Sequence, residues 1–257
     1  MAYNFIYRLV DSTGTGGLTQ SEVDNNMHAV YDRMSGYGFS LQAVCGMLGC
    51  FHEESNVNPG SYENSHGGSL STLPYFAGGL GMAQWTDYPA YALAYPNPLG
   101  WSAEREGRNW YDGDFQCWLV NKGNDTEYTS MGYGDGPRWG WLNAPLWATD
   151  NMTWDGYKAF TGSLVAATRS WFFCFEWHGS EQEAYERLGP NCIQDRINWA
   201  NYAYDLLRGY TPEPPGPGPG PGPGPGPGPG PLPERSKRFF MMLKPRYKYN
   251  QNKKRRF

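Results

Sequence analysis

Residues 214–233 read PPGPGPGPGPGPGPGPGPLP, a tract that neither a helix nor a sheet accommodates. Every second residue from Gly216 to Pro231 is a proline. Proline has no backbone N–H to give to a ladder and holds φ near about −65°. The alternating glycines stay permissive, so the tract is extended without being rigid. Its period of two is not the Gly-X-Y period of three that a collagen triple helix needs. If fully polyproline-like, the Gly-Pro pairs reach about 50 Å. The chain therefore divides into a folded body over 1–210, a Pro/Gly-rich linker over 211–233 and a tail over 234–257.

The linker also separates two charge regimes. The chain carries −4 overall, made of −13 over residues 1–215 and +9 over 232–257. Such a dipolar distribution points to a tail that either stays disordered and solvated or anchors to an acidic surface. Its partner is then an anionic wall polymer, another protein or nucleic acid. The apolar FFMML inside RSKRFFMMLKPRYKYNQNKKRRF favours a protein or envelope contact over nucleic acid.

No apolar stretch approaches the ~20 residues of a membrane helix. The opening MAYNFIYRLVDSTGTGG has Arg8 in its apolar part and does not read as a secretion signal. Cys45, Cys50, Cys117, Cys174 and Cys192 are odd in number and form no C-x-x-C pair. They read as small buried hydrophobes, not as a zinc site or a disulfide framework. No cofactor and no metal are expected.

Within the body the apolar periodicity is helical. LTQSEVDNNMHAVYDRMSGYG places Val23, Met27, Tyr31 and Met34 on one face and stops at Gly36. FSLQAVCGMLGCFHEES starts at Ser40 as N-cap and runs to about Ser55. GSLVAATRSWFFCFEWHG reads as a single helical stretch, SEQEAYERLG opens with a Ser180–Glu183 capping box, and NCIQDRINWANYAYDLLRG ends at Gly209. Roughly 60–160 is rich in Gly, Trp, Tyr and Asp, which predicts loops and a small hairpin able to wall a cleft. The fold class is α+β, mainly α.

The chemistry concentrates where the second helix ends. Leu41, Val44, Cys45, Leu48, Phe51 and His52 make an apolar stripe, and Glu54 edges it at i, i+4, i+7 from Met47 and Phe51. Glu53 projects about 100° away, on the face of Gln42, Gly46 and Gly49, where the glycines permit either close packing or simple exposure. An acid beside an apolar wall is held towards its neutral form, as a general acid for glycoside cleavage requires. An ordinary solvated helix end is the alternative. About thirty residues on, GGLGMAQWTD combines close-packing glycines with Gln84, Trp85 and Asp87.

A helix ending in Glu-Ser, followed by a Gly-rich turn and an Ala-Gln-Trp segment, resembles the lysozyme-like muramidases, and in particular the phage tail lysozyme family. The family's apolar GxLGN helix, ES pair and NP turn read here as Gly46, Leu48, Gly49, Glu54, Ser55, Asn58 and Pro59. Its GxxQW reads Gly81, Gln84 and Trp85, and its distal helix is matched by Phe172, Phe175, Glu176, Arg196 and Ala200. The similarity covers roughly 20–208 and excludes the linker and tail. Cys50 stands where the family often has Asn, His52-Glu53 precedes the acid, and the aromatic segment through 101–155 is longer.

The resemblance implies a lysozyme-like domain acting on peptidoglycan glycan strands, at the β-1,4 bond between N-acetylmuramic acid and N-acetylglucosamine. Glu54 is then the general acid, with Ser55 orienting it. Gln84 binds the sugar's N-acetyl or hydroxyl groups. Trp85 either stacks on a ring or packs against the helix of Glu54. Tyr62 and Tyr88 are further subsite candidates. Asp87, ahead of Glu63, is the candidate second carboxylate, although lysozyme-like enzymes also work with one essential Glu and release anhydro products. Glu176 reads as a structural acid paired with Arg196. The expected setting is a phage tail acting on the host wall, with other tail proteins as partners of the basic tail; a free endolysin and a non-catalytic tail component are the alternatives. His28, His52, His66 and His178 form no H-x-H or H-E-x-x-H pattern, which argues against a zinc peptidase. No cysteine lies in a recognisable Cys-His peptidase motif.

Overall fold

The structure is a computed structural model that describes residues 3–11, 17–63, 70–74, 76, 78–86, 96–132, 139–142, 152–177 and 179–213. The Gly-Pro tract from 214 onwards and the basic tail lie outside the described residues, as do Asp87 and Tyr88.

The fold is mainly helical and is built around helix α2 (Leu41–Ser55). Ser40 caps it as its spacing predicts, its Oγ accepting from Ala43 N at 3.1 Å. Helix α1 (Gln20–Gly36) packs on it through Val23, Met27, Val30 and Met34, all buried. The α1 start carries a Thr19–Glu22 capping box. Burying such side chains contributes on the order of 1.5–3 kcal/mol each, which is what holds a helix pair of this length together.

The sequence left the Gly46–Gly49 face of α2 open between packing and exposure. It is a packing face. A Cβ at Gly46 would lie 2.7 Å from the Ala167 carbonyl carbon, on helix α7 (Leu164–Trp171). A Cβ at Gly49 would press into the Arg196 carbonyl oxygen, with Ala200 N and Cβ both 3.0 Å away on helix α9 (Cys192–Leu207). The missing side chains let α7 and α9 close directly on α2.

One helical expectation is corrected in detail. The stretch after Ser163 does not run on as a single α-helix: α7 ends at Trp171 and the chain widens into a π-helical turn over Phe172–Glu176. Trp177 N donates to Phe172 O at 2.7 Å, which is the i→i−5 bond of that turn. Phe172, Phe173, Cys174 and Phe175 are all buried, so this run has no solvent face, and the wider turn redistributes the rings inward. Helix α8 (Glu181–Leu188) keeps the predicted Ser180–Glu183 capping box.

The middle region is more helical than its Gly-rich composition predicts. Helices α3 (Pro98–Glu106), α4 (Gly113–Asn121), α5 (Thr126–Thr129) and α6 (Trp154–Lys158) all fall within it. Each begins at a side-chain cap, from Asn97, Asp112, Asp125 and Thr153 in turn, and these local bonds start helices that apolar periodicity alone does not announce. The expected hairpin is small: Leu80 and Trp85 exchange backbone hydrogen bonds of 3.2 and 2.9 Å around a tight turn. Strands β1 (Val10–Asp11) and β2 (Ser61–Tyr62) form a two-residue parallel pair. All five cysteines are buried and free. Among the described residues no helix is long and apolar enough to cross a membrane.

Candidate functional site

A cleft of about 240 Å³ opens at the C-terminal end of α2. Its lining comes from the last turn of α2 (His52, Glu53, Glu54, Ser55), from Asn58 and Ser61 beyond it, and from Val10 and Asp11 of β1. The chain reverses sharply here. Asn56 and Val57 both take φ of 54°, in the left-handed region that a β-branched residue such as Val57 rarely occupies. Buried asparagines hold that reversal. Asn58 accepts from Arg8 N at 3.1 Å and donates to Arg8 O at 2.8 Å, imitating a strand partner. Asn26 does the same for Ile6, at 2.8 and 2.7 Å, and also donates to Val57 O at 2.9 Å. The segment before β1 is thereby pinned across the end of α2 and becomes one wall of the cleft.

Glu54 stands at the rim, its side chain 29% exposed, and Arg196 Nη2 donates to its Oε1 from beneath. Arg196 is buried and also faces a second acid: its Nε lies 3.6 Å from Glu176 Oε2. Glu176 comes from the π turn, and its Oε1 accepts from Trp171 Nε1 at 3.0 Å. Burial first, and the Glu54 charge second, push the Glu176 carboxyl up to about 8 against the pull of Arg196. The guanidinium stacks over the Phe172 ring, 4.8 Å from its centroid. The expected Arg196–Glu176 pairing is present, and the sequence reading missed that the same arginine holds Glu54.

Next to this pair, the His52 ring stacks on Trp199 with 3.3 Å between centroids, and burial pushes it down to about 4. The imidazole is neutral at neutral pH. Glu53 is raised by its own burial.

Ser55 fixes the site to the Gln-Trp segment. Its Oγ lies 3.0 Å from Phe51 O and 2.8 Å from Met82 O, so the hydroxyl ties the end of α2 to the 80–85 hairpin. Inside that hairpin Gly81 has φ of 76°, and a Cβ there would meet Leu99 Cδ2 at 2.6 Å. Gln84, with φ of 46°, donates from Nε2 to Gly81 O at 2.9 Å and so braces its own turn. Trp85 is 4% exposed and meets Trp139 edge to face; of its two readings, this position supports packing. Tyr62, half-buried beside Phe76, continues β2. The backbone N–H of Glu63 donates to Gly79 O at 2.9 Å.

Two further residues organise the site without having been singled out. Gln116 is wholly buried: its Oε1 accepts from Met82 N at 2.8 Å, and its Nε2 reaches Pro59 O at 2.8 Å and Trp110 O at 2.7 Å. Asn97 donates to Gly78 O at 2.9 Å and to Trp85 O at 2.5 Å. Together they join the Asn-Pro-Gly turn and the hairpin into one scaffold. Asp11, a carboxylate that lines the cleft from β1, was also missed, with no motif to mark it. Among the described residues no group of three or more His, Cys, Asp or Glu is arranged to hold a metal ion. The cleft thus offers a rim carboxylate on a rigid helix, a buried cation behind it and further acids around it. That equipment suits proton transfer to a bound substrate.

A family model described as phage tail lysozyme matches residues 25–207, a span that takes in α2, the hairpin, the π turn and α9 but stops short of β1. Morphogenesis protein 1 of Bacillus phage B103 is 28% identical over 194 residues, covering 75% of this chain. The match spans 42% of that relative's length.

Proposed function

The chain belongs to the phage tail lysozyme family, and from that membership we infer that it degrades peptidoglycan by cutting the β-1,4 bond between N-acetylmuramic acid and N-acetylglucosamine. The observation that carries this reading is Glu54. It lies in the last turn of a buried helix, at the rim of a cleft and inside the matched span. Glu54 acts as the acid that protonates the leaving glycosidic oxygen. Ser55 sets its position through the hydrogen bond to Met82. Gln84 and Tyr62 contribute to the sugar subsites beside it, with Tyr88 following in sequence, and Trp85 supports them from the core.

Asp87 is the residue we assign as the second carboxylate, activating water on the opposite face of the sugar if it lies ~6.5–9.5 Å from Glu54, as inversion requires, or attacking C1 as nucleophile if it lies ~5–5.5 Å away, as retention requires. The enzyme works from the phage tail on the host wall, and the basic 234–257 tail docks to another tail protein. The similarity to a phage morphogenesis protein supports a virion setting over a lysis enzyme released free.

The test is turnover of purified cell-wall sacculi by the wild type and by Glu54→Gln, with mass spectrometry of the released muropeptides. Reducing muramyl ends from the wild type, and none from a folded Glu54→Gln protein, are expected. Anhydro ends would reassign the reaction to a lytic transglycosylase with the same acid. A folded wild type that releases nothing from a range of walls refutes the catalytic reading.

A further inference from the structure

Arg196 meets two carboxyl groups and satisfies them unequally. Nη2 bonds Glu54, and Nη1 donates to Cys192 O at 3.0 Å. Nε points at Glu176 Oε2 across 3.6 Å, beyond hydrogen-bond reach, and both of those atoms are buried without a hydrogen-bond partner. One buried cation against two buried or half-buried anions leaves a net negative charge, which low-dielectric surroundings penalise heavily. The penalty is removed by one proton on either acid.

We propose that Glu176 is a positioning residue that shares Arg196 with Glu54, so that the two carboxyl groups hold a single proton between them and Glu54 can be neutral while Arg196 stays paired. The proposal rests on the reading of Glu54 as the acid. In one arrangement Glu54 is ionised on Arg196 and Glu176 carries the proton, which is the geometry described above. In the other, Arg196 closes the gap to an ionised Glu176 and Glu54 carries the proton into the cleft. From there Glu54 gives that proton to the glycosidic oxygen as the C1–O bond breaks. The bonding pair leaves with the oxygen, C1 bonds the oxygen of water or of a sugar hydroxyl, and the proton that oxygen loses returns to the Glu54–Glu176 pair, directly or through the second carboxylate, as Glu54 moves back onto Arg196.

The groups facing this cluster do not compete for the role. From α2, Cys50 is raised by burial, His52 is neutral and Glu53 is raised. From α9, Cys192 is raised, and Asp195 adds negative charge beside Glu53. Tyr157 of α6 is buried and stays neutral, Trp171 of α7 presents only its N–H, and Asp11 of β1 lines the same cleft as Glu54. Arg196 supplies the positive charge of the cluster. The raised Glu176 carboxyl agrees with the resting position of the proton.

The experiment is the pH profile of sacculi turnover for wild type, Glu176→Gln, Glu176→Asp and Glu54→Gln, each checked for folding by thermal melt. A neutral Gln leaves Glu54 alone with Arg196, so the high-pH limb of the rate should move about one to three units towards acid, while turnover on the acid side survives. Glu176→Asp should restore much of the wild-type limb. A folded Glu176→Gln protein with the wild-type profile overturns the proposal. Activity retained in Glu54→Gln overturns instead the reading of Glu54 beneath it. If Glu176→Gln does not fold, or sacculi are not cleaved, carboxyl ¹³C titration of the wild type decides. Glu54 and Glu176 signals moving together through the same two steps support the sharing, and a Glu54 signal moving alone in one step overturns it.

Discussion

Gly49→Ala is the substitution that most directly couples the packing of this fold to its chemistry. The added Cβ would press on the Arg196 carbonyl oxygen and stand 3.0 Å from Ala200 N and Cβ. These are backbone and near-backbone atoms of α9 and cannot rotate away. To reach ordinary van der Waals separation, α9 must recede by on the order of 1 Å. Overpacking of this kind costs about 1–3 kcal/mol, and Ala's better helix propensity returns about 0.8–1 kcal/mol. The net loss is about 0–2 kcal/mol, or a fall in Tm of up to about 8 °C for a domain of this size. Because Arg196 rides on α9, its bond to Glu54 is displaced as well, so turnover should fall further than stability does. The assay is a thermal melt paired with sacculi turnover, with Gly209→Ala, where a Cβ meets nothing within 4 Å, as the neutral control. A Gly49→Ala protein that melts at or above the wild-type temperature with full activity would refute the close approach of α2 and α9.

Other perturbations separate the parts of the site. Ser55→Ala leaves the buried Met82 carbonyl without its hydroxyl partner, so it should cost about 1–3 kcal/mol in a denaturant titration and lower turnover. His52 is pushed below the ordinary histidine value of 6.5 to about 4, so its contribution to stability is complete above pH 6.5 and is lost as pH falls towards 4. Melting temperatures should decline over that window, less steeply in His52→Gln; identical slopes would show that His52 does not drive the decline. Asp87→Asn should reduce turnover by about 10²–10⁴-fold if it activates water. The same loss in Asp11→Asn, with Asp87→Asn unaffected, moves that role to the β1 wall.

Much of this architecture could be read along the chain because the interactions that write it are short-ranged. Ser40 before α2 and the Ser180–Glu183 box of α8 act within one helical turn, so a cap and its helix appear together in sequence. The place of Glu54 at the edge of a buried stripe is legible by the same logic, from its i, i+4, i+7 spacing to Met47 and Phe51, whereas its reading as an acid came from the resemblance of the Glu-Ser and Gln-Trp segments to a known family. The short helices of the middle were missed although their caps are also local. Asn97, Asp112, Asp125 and Thr153 look alike whether they start a helix or a loop.

What the chain alone determined is a helical body that ends before a Gly-Pro tract, with an acid at the tip of its most apolar helix. Only the tertiary structure decided which groups meet that acid. Arg196 arrives from 142 residues away because two glycines of α2 admit α7 and α9. Glu176 reaches the same arginine from the end of a π turn whose other four residues are buried. Asp11 faces the cleft because Asn26 and Asn58 pin the segment leading into β1 over the end of α2. None of these contacts has a sequence period. Each depends on how separate elements close against one another in space, and that closure sets the charge around Glu54.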